Sequence, residues 1–276
     1  MSNGSNVTTV GAVTQPWRAR LAPGVLLGTI GVIGFSFSLP ATRLALRDLD
    51  PWVVAFGRAL VAAALAALVL RATRAPRPTP AQWRALAIVA AGVVVGFPLL
   101  TSLALQIVVG LAPAATAVMA VLRAGERPSG AFCAASAAGT LAVLVFAFVS
   151  GAGSLRVTDV ELLLAVVLVG LGYAEGGALA RDLGGTRTIC WALVLSAPLL
   201  VPVVAVRLAQ TGFHVHADSA FGFAYVAGVS MFAAFFAWYA GLARGGVARI
   251  GQIQLVQAPL TLLWAGLFLG ERVTAG

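Results

Sequence analysis

The sequence predicts an all-α integral membrane protein, an inverted-repeat bundle of five plus five transmembrane helices of which nine are visible in the chain. Charged residues make up 10% of the 276 residues and hydrophobic residues 60%, whereas a soluble domain carries about 25% charged residues. Solid apolar runs recur along the chain, and about 20 apolar residues cross a bilayer as a helix. Short landmarks also occur twice in the same order.

Helices are favoured over a membrane β-barrel because the apolar runs do not alternate. Residues 60–70 and 162–173 are continuously apolar, whereas a barrel strand alternates apolar and polar residues over about ten positions. The bilayer core offers no partners to backbone polar groups, so a helix must satisfy its own. The predicted helices cover residues 21–46, 51–71, 82–104, 106–122, 130–150, 159–180, 187–208, 219–242 and 247–270.

The net charge of +9 comes from 18 basic residues, all of them arginine. These arginines lie between the apolar runs rather than on one face, so we interpret them as topology-setting charges and expect no nucleic-acid partner. With a cytoplasmic N-terminus, twelve arginines lie on the cytoplasmic side and five on the other, and Arg58 is left out because it lies within a predicted helix. The positive-inside rule therefore predicts a multi-pass protein of the cell inner membrane with its N-terminus in the cytoplasm.

An internal repeat organises the chain. The repeated landmarks are Arg47–Leu49 with Arg181–Leu183, Pro113 with Pro259, and Glu126–Arg127 with Glu271–Arg272. An odd number of helices separates the copies, so they enter the membrane from opposite sides, as in many secondary transporters. We therefore divide the chain into a cytoplasmic tail (1–20), a first repeat (21–150) and a second repeat (151–276).

The two copies are unequal. The first holds five predicted helices and the second four, and the stretch before Pro113 is shorter than the corresponding stretch before Pro259. Continuous apolar residues over 85–122 also leave almost no room for a turn between two spans. We expect the full protein to contain a tenth helix and a further segment before Pro113, and the alternative is a natural nine-helix protein.

Two paired segments carry a family resemblance. Residues 101–129 (TSLALQ to GERPS) and 241–273 (GLARGG to GERV) resemble the two halves of the drug/metabolite transporter superfamily, EamA type. Residues 34–46 and 56–65 are similar to the first two helices of that family, so the resemblance covers nearly the whole chain. Residues 172–185, with TSLALQ, are similar to the branch that exports aromatic amino acids and related metabolites. The resemblance implies export.

Ionisable side chains within predicted helices are candidates for function, because burying a charge in a membrane is costly. Glu175 in helix 6 could couple transport to protons or bind an amine, or it could pair with Arg181 or Arg187. Arg58 in helix 2 could bind a substrate carboxylate, or it could snorkel to the interface or pair with a nearby aspartate.

Uncharged polar and aromatic residues complete the candidate site. Gln254 and Gln257 share a helix face and could bind a zwitterion or pack by interhelical hydrogen bonds. An aromatic stripe on predicted helix 8 consists of Phe232, Phe235, Phe236 and Tyr239. With Tyr173 it could line a pocket for a ring-bearing substrate, or it could serve packing or lipid contact. Prolines at mid-membrane depth, such as Pro40, free backbone carbonyls that can line a site, or simply kink a helix. The candidate substrate-binding residues are Ser36, Ser38, Pro98, Thr101, Tyr173, Glu175, Phe232, Phe235, Phe236, Tyr239, Gln254 and Gln257.

Other features are assigned structural roles. Gly92 and Gly96 are expected to allow close helix packing. Cys133 and Cys190 lie in apolar segments and are expected to be buried without a disulfide. His214 and His216 have a metal-like spacing but lack a third ligand nearby, so we expect no metal and no cofactor.

The predicted function is that of a secondary transporter exporting small neutral or zwitterionic metabolites, such as amino acids including aromatic ones, by alternating access. The alternatives are a carrier for hydrophobic drugs or for sugars and nucleotide-sugars and, in another class, a non-transporting membrane protein or a membrane enzyme. Motifs such as H-E-x-x-H and G-x-S-x-G are absent from the sequence. We expect a small-molecule substrate and the lipid bilayer as partners, and a monomer.

Overall fold

The computed structural model describes residues 16–98, 116, 118–123, 157–212 and 215–269. These residues form only helices joined by short turns. The α-helices are α1 Pro16–Ser36, α2 Ser38–Ala45, α3 Arg58–Ala72, α4 Pro80–Val89, α5 Val157–Leu183, α6 Gly185–Thr211, α7 Ala217–Ala224, α8 Ala234–Gly245, α9 Val247–Gly251 and α10 Gln257–Leu269. The π-helical stretches are Val53–Gly57, Ala90–Gly96 and Tyr225–Ala233, and Gln252–Val256 is a 3₁₀ helix between α9 and α10.

Five helical segments of the described residues are long and apolar enough to cross a membrane. They are Ala22–Ala45, Val53–Ala72, Leu164–Leu183, Gly185–Thr211 and Ala217–Gly245, and Pro80–Gly96 is a shorter apolar helix. They correspond to predicted helices 1, 2, 6, 7, 8 and 3, so the prediction of an all-α membrane protein is confirmed. Most of predicted helix 4, all of helix 5 and the expected tenth helix lie outside the described residues.

Local sequence explains where several helices begin and end. The backbone N–H of Gln82 donates to Thr79 Oγ1 at 3.4 Å, and the Thr79 N–H donates to Gln82 Oε1 at 2.9 Å. This capping box, with Pro80 in the first turn, starts α4 two residues before the predicted residue 82. Glycines with positive φ flank α6, since Gly184 has φ 81° and Gly212 has φ 73°.

The first and eighth predicted helices pack antiparallel along most of their lengths. A glycine stripe on α1 faces α8, and it consists of Gly24, Gly28, Gly31 and Gly34. A Cβ on Gly24 would lie 2.7 Å from the backbone nitrogen of Gly245, and a Cβ on Gly241 would lie 2.7 Å from that of Gly28. Small residues therefore let the two backbones approach closely, as in many membrane helix pairs.

The third and sixth predicted helices form the corresponding pair in the other half of the bundle. A Cβ on Gly92 would lie 2.3 Å from the carbonyl oxygen of Leu168, and one on Gly96 would lie 2.8 Å from Leu168 Cδ1. The close-packing interpretation of Gly92 and Gly96 is thus correct. The π-helical stretch Ala90–Gly96 has its counterpart in Tyr225–Ala233, with nearly the same sequence separation as the two Arg-Asp-Leu landmarks. The two halves thus share an architecture.

The outer surface of the described helices is apolar. On α1, Leu26 and Ile30 are exposed whereas Val32 and Phe35 are buried, and on α10 Leu267 is 66% exposed. Exposed large apolar side chains on several helices are the expected surface of a protein solvated by lipid tails.

Candidate functional site

The first membrane-spanning helix is interrupted at Phe37, between the end of α1 and the start of α2. Pro40 has no backbone N–H, so it cannot bond to the carbonyl oxygen of Ser36 four residues earlier. The hydroxyl of Thr261 on α10 donates to that carbonyl oxygen instead, at 2.8 Å. Trp264 Nε1 also donates to Ser36 Oγ at 2.9 Å. The carbonyl freed by the proline is therefore satisfied by the second repeat.

Further contacts join the break to the π-helical stretch Tyr225–Ala233, which belongs to predicted helix 8. Ser38 Oγ and Ser230 Oγ are 2.6 Å apart, and the hydroxyl of Tyr225 donates to the carbonyl oxygen of Gly34 at 3.1 Å. The ring of Phe37 lies 5.0 Å from the ring of Tyr225, centroid to centroid. The predicted site residues Ser36 and Ser38 thus contact helices of the second repeat.

Five buried rings form an aromatic cluster, which consists of Phe35, Tyr173, Phe235, Trp238 and Tyr239. Each of these residues is at most 6% exposed. The ring of Tyr173 lies 5.3 Å from that of Trp238 and 6.4 Å from that of Phe235, and the rings of Phe35 and Phe235 are 4.7 Å apart. Tyr239 donates its hydroxyl hydrogen to the Gly172 carbonyl oxygen at 3.2 Å. The cluster joins α1, α5 and α8.

The predicted stripe on helix 8 divides into two pairs. Phe235 and Tyr239 belong to the aromatic cluster, with centroids 5.7 Å apart. Phe232 and Phe236 are less buried and pack on each other, with centroids 4.6 Å apart. Each pair is spaced i, i+4 and lies on its own side of the wide apolar face, so the pairs meet different neighbours.

Gln254 places a buried amide beside the aromatic cluster. Its Nε2 donates to the hydroxyl of Tyr173 at 3.3 Å, and the residue is 4% exposed. Gln257 is the first residue of α10 and is partly buried. Among the described residues, neither Gln254 Oε1, Gln257 Oε1 nor Trp238 Nε1 has a hydrogen-bond partner, although all three atoms are buried. These atoms can still bind a ligand.

Glu175 forms an ion pair that the sequence did not identify. Arg123 donates from Nε to Glu175 Oε1 at 2.5 Å and also contacts that oxygen through Nη2. Of the alternatives, a pairing with Arg181 or Arg187 is not the one found, and Glu175 pairs with Arg123, which directly follows predicted helix 4. Arg123 is about half exposed and Glu175 largely buried. Because Arg123 belongs to the first repeat and Glu175 to the second, the pair bridges the two repeats.

Arg58 is not paired with either nearby aspartate. Asp50 accepts hydrogen bonds from the backbone N–H groups of Trp52 and Val53, at 2.9 and 3.3 Å, and thereby caps the following helix. Asp48 is bound to residues after α6, as described next. Arg58 Nε is buried and has no hydrogen-bond partner in the described part of the chain.

Asp48 connects the end of α2 to the start of α7. It accepts hydrogen bonds from the backbone N–H of His216 at 2.8 Å and from the hydroxyl of Ser219, and its Oδ2 lies 3.0 Å from His216 Nδ1. The hydrogen bond from Ser219, followed by those from His216, lowers the pKa of the Asp48 carboxyl to about 2. His216 thus binds a carboxylate, and no group of three metal-ligating side chains occurs among the described residues.

The remaining candidates lie at or beyond the edge of the described residues. Pro98 is buried at the end of the described part of the third predicted helix, and Thr101 lies outside the described residues, as does His214. Five further residues contact the candidate site residues and were not predicted from the sequence: Phe35, Arg123, Trp238, Thr261 and Trp264. Trp238 adjoins the predicted stripe, and Thr261 and Trp264 follow Pro259 on one face of α10, so an i, i+3 search would have found them.

The bundle of two inverted halves, with a buried polar and aromatic centre where they meet, is the architecture of a secondary membrane carrier. Comparison with known proteins agrees: the model of the EamA-like transporter family matches residues 22–148 and 158–276. The chain belongs to the EamA-like transporter family and is a multi-pass membrane transporter.

One relative supports this assignment, and one solved structure shares the fold. The chain is 45% identical over 258 residues to a Bacillus subtilis (strain 168) protein named "Uncharacterized transporter YdeK", covering 91% of this chain and 90% of that one. A structure described as "Crystal structure of protein" matches with a TM-score of 0.69 at 18% identity, covering 92% of this chain and 91% of the other. The latter similarity shows the fold alone.

Proposed function

We propose that the protein is a secondary carrier that exports small neutral or zwitterionic metabolites, in particular amino acids including aromatic ones, by alternating access. The substrate is held beside the aromatic cluster and Gln254. In this proposal the carrier lies in the cell inner membrane with its N-terminus in the cytoplasm, and it performs no chemistry on its substrate.

The observation that carries the proposal is the partly satisfied amide of Gln254. Its Nε2 is engaged by Tyr173, while its Oε1 is buried and without a partner in the described residues. An amide oxygen accepts hydrogen bonds, so a substrate ammonium or amide N–H would satisfy it. Trp238 Nε1, also buried, can donate to a carboxylate or carbonyl oxygen. An amino acid supplies both groups.

The character of the surrounding side chains favours the same substrate class. The aromatic cluster and Gln254 carry no ionised group, and buried rings bind apolar or aromatic side chains by area and by edge-to-face contacts. A sugar phosphate or nucleotide-sugar would bring two negative charges into this environment, which is costly unless several cations compensate them. A neutral or zwitterionic substrate avoids that cost.

Uptake into proteoliposomes tests the proposal. We expect saturable uptake of labelled phenylalanine and leucine by the purified protein, and none of a labelled sugar phosphate. Gln254→Leu and Tyr173→Phe should each lower kcat/KM by about tenfold, because each removes one hydrogen bond from the site. Gln210→Leu, a change at an exposed glutamine near the end of α6, should leave uptake unchanged.

Two results would contradict the proposal. If no amino acid is taken up by protein that unfolds cooperatively on heating, the substrate class is wrong. If amino acids are taken up and Gln254→Leu and Gln210→Leu behave alike, the protein carries amino acids through another site.

A further inference from the structure

Arg58 is a cation inside a membrane-spanning helix, without a partner in the described part of the chain. It is the sixth residue of the span Val53–Ala72, which places it about 8 Å along the helix axis from the start of that span. Its Nε is buried and makes no hydrogen bond to the described residues. An unpaired charge inside a membrane protein is costly, and such charges usually mark a binding site or a pathway. Arg58 belongs neither to the aromatic cluster nor to the glutamine pair.

The described carboxylates at this end of the bundle are engaged elsewhere. Asp50 accepts hydrogen bonds from two backbone N–H groups at the start of its own helix. Asp48 is bound to the start of α7, and Asp218 forms an ion pair with Arg47 at 3.4 Å. Each of these three anions therefore has partners other than Arg58, and a ligand is the remaining source of a counter-charge.

The side chain of Arg58 is covered by protein and does not reach the membrane surface as other arginines do. Arg207 illustrates the other arrangement, since its Cζ lies 5.1 Å from the centroid of the Trp52 ring at the end of the helix. Arg58 Nε is buried, although Val61, one turn further along, is 42% exposed. The helix packs here against α6 and the π-helical stretch Tyr225–Ala233. The residue as a whole is only partly buried, so a small molecule can reach it.

The surroundings of Arg58 are apolar. Its neighbours Phe56 and Ala59 are buried, and a Cβ on Gly57 would lie 3.3 Å from Phe223 Cζ, so a ring of helix 8 packs beside this turn. In such surroundings one cation compensates one negative charge, and a doubly charged ligand would retain an uncompensated charge. The planar guanidinium presents paired N–H donors that fit the two oxygens of a carboxylate. This environment therefore selects a ligand with a single carboxylate.

We propose that Arg58 binds the carboxylate of a small monocarboxylate, which is either the carried amino acid or a separate organic acid. The apolar part of this ligand lies against the apolar side chains around the arginine. The inference goes beyond the proposed function, which assigns no role to Arg58. Only the amino-acid source rests on the proposed function, whereas an organic acid binds whether or not amino acids are carried.

Thermal unfolding of the full-length protein in detergent tests the site and separates the two sources. Each carboxylate is compared with its amide at equal ionic strength: phenylalanine with phenylalaninamide, and hydrocinnamate with hydrocinnamamide. A ligand that binds only the folded state raises Tm. We expect at least one carboxylate to raise the wild-type Tm at a concentration about tenfold lower than its amide requires. A preference for phenylalanine over its amide assigns the site to the carried substrate, and a preference for hydrocinnamate alone assigns it to an organic acid.

Variants locate the effect. Arg58→Met keeps an unbranched side chain but removes the charge, and it should abolish the preference for the carboxylate over the amide. Arg58→Lys should retain part of the preference, because the charge remains while the fork is lost. Arg207→Met, at a partly buried arginine of the neighbouring α6, is the matched control and should keep the wild-type preference. Without ligand, Arg58→Met should unfold at or above the wild-type Tm, because it removes an unpaired charge from the interior.

Any of three results would overturn the proposal. The first is a wild-type protein on which neither carboxylate acts at a lower concentration than its amide. The second is an equal preference in Arg58→Met and Arg207→Met, which would place the carboxylate elsewhere. The third is a lower Tm of Arg58→Met without ligand, which would show that the guanidinium stabilises the fold through a contact within the protein. Amino acid uptake and its dependence on Gln254 are measured separately, so none of these results would contradict the proposed transport.

Discussion

Arg123 and Glu175 form an ion pair across the two repeats, with Arg123 Nε 2.5 Å from Glu175 Oε1. Arg123 directly follows predicted helix 4, in the first repeat, and Glu175 lies in the second half of α5, in the second repeat. If the repeats rock against each other during transport, opening at this position must break the pair.

The coupling between these two charges can be measured. Arg123→Gln and Glu175→Gln should each lower the free energy of unfolding, and the double variant should lose less than the sum of the two. For a partly exposed pair we expect a coupling energy of about 0.5–1 kcal/mol in a double-mutant cycle of thermal unfolding. Asp182→Asn, at an exposed aspartate of the same helix, serves as the control. Strict additivity would show that the pair contributes nothing.

The hydroxyl of Thr261 should be required at the break in helix 1. Thr261→Val keeps the shape of the side chain but removes the hydroxyl that donates to the buried Ser36 carbonyl oxygen. Pro40 has no N–H that could replace this donor. We expect a loss of about 1–3 kcal/mol in the free energy of unfolding, the cost of an unsatisfied buried acceptor. Thr261→Ser retains the hydroxyl and should lose much less. Equal stability of the two variants would mean that the carbonyl finds another partner.

The contact between Gly28 and Gly241 should not tolerate a methyl group. Gly241→Ala would place its Cβ 2.7 Å from the backbone nitrogen of Gly28, which cannot move aside as a flexible side chain could. We expect a destabilisation of about 1–3 kcal/mol by overpacking. Gly228→Ala is the matched control, because a Cβ at Gly228 would meet nothing within 4 Å. A Gly241→Ala variant as stable as Gly228→Ala would contradict the close contact.

The carboxylate of Asp48 should stabilise the protein in a pH-dependent manner. Its pKa is lowered to about 2 in the folded protein, whereas an aspartate in an unfolded chain has a pKa of about 4. The stabilisation is therefore fully present above about pH 4 and is lost as the pH falls toward 2. Asp48→Asn should lower Tm at pH 7, with the difference from wild type shrinking below pH 4. A difference that is constant over this range would exclude the carboxylate as its cause.

Much of the fold could be predicted because apolar runs and turn residues determine where membrane helices lie. The bounds of α5 and α6 follow from long apolar runs separated by Gly184 and Gly185, which end one helix and start the next. Near Pro40 the sequence left open either freed carbonyls that line a site or a simple kink, and the structure has a break at Phe37. Its hydrogen bonds to Thr261 and Trp264 depend on which helices touch, and a single sequence carries no such information.

The candidate site was predictable by residue type but not by partner. Tyr173, Phe235, Tyr239 and Gln254 do meet, because buried aromatic and amide groups in a membrane face the protein interior. For Glu175 the sequence left open a functional role or a pairing with Arg181 or Arg187, and the structure pairs it with Arg123 of the other repeat. Phe232 and Phe236 share the apolar face of helix 8 with the cluster, yet they lie outside it, since a wide face contacts more than one neighbour.

The contact of the glycine stripe with helix 8 also constrains the order of events during synthesis. Gly28 and Gly241 are about 200 residues apart in the chain, and a ribosome adds about 5–20 residues per second. The first helix must therefore remain in the translocon or the bilayer for roughly 10–40 seconds before its partner emerges. During that interval, which covers most of the synthesis of the chain, its glycine face is open to lipid or to an insertion factor.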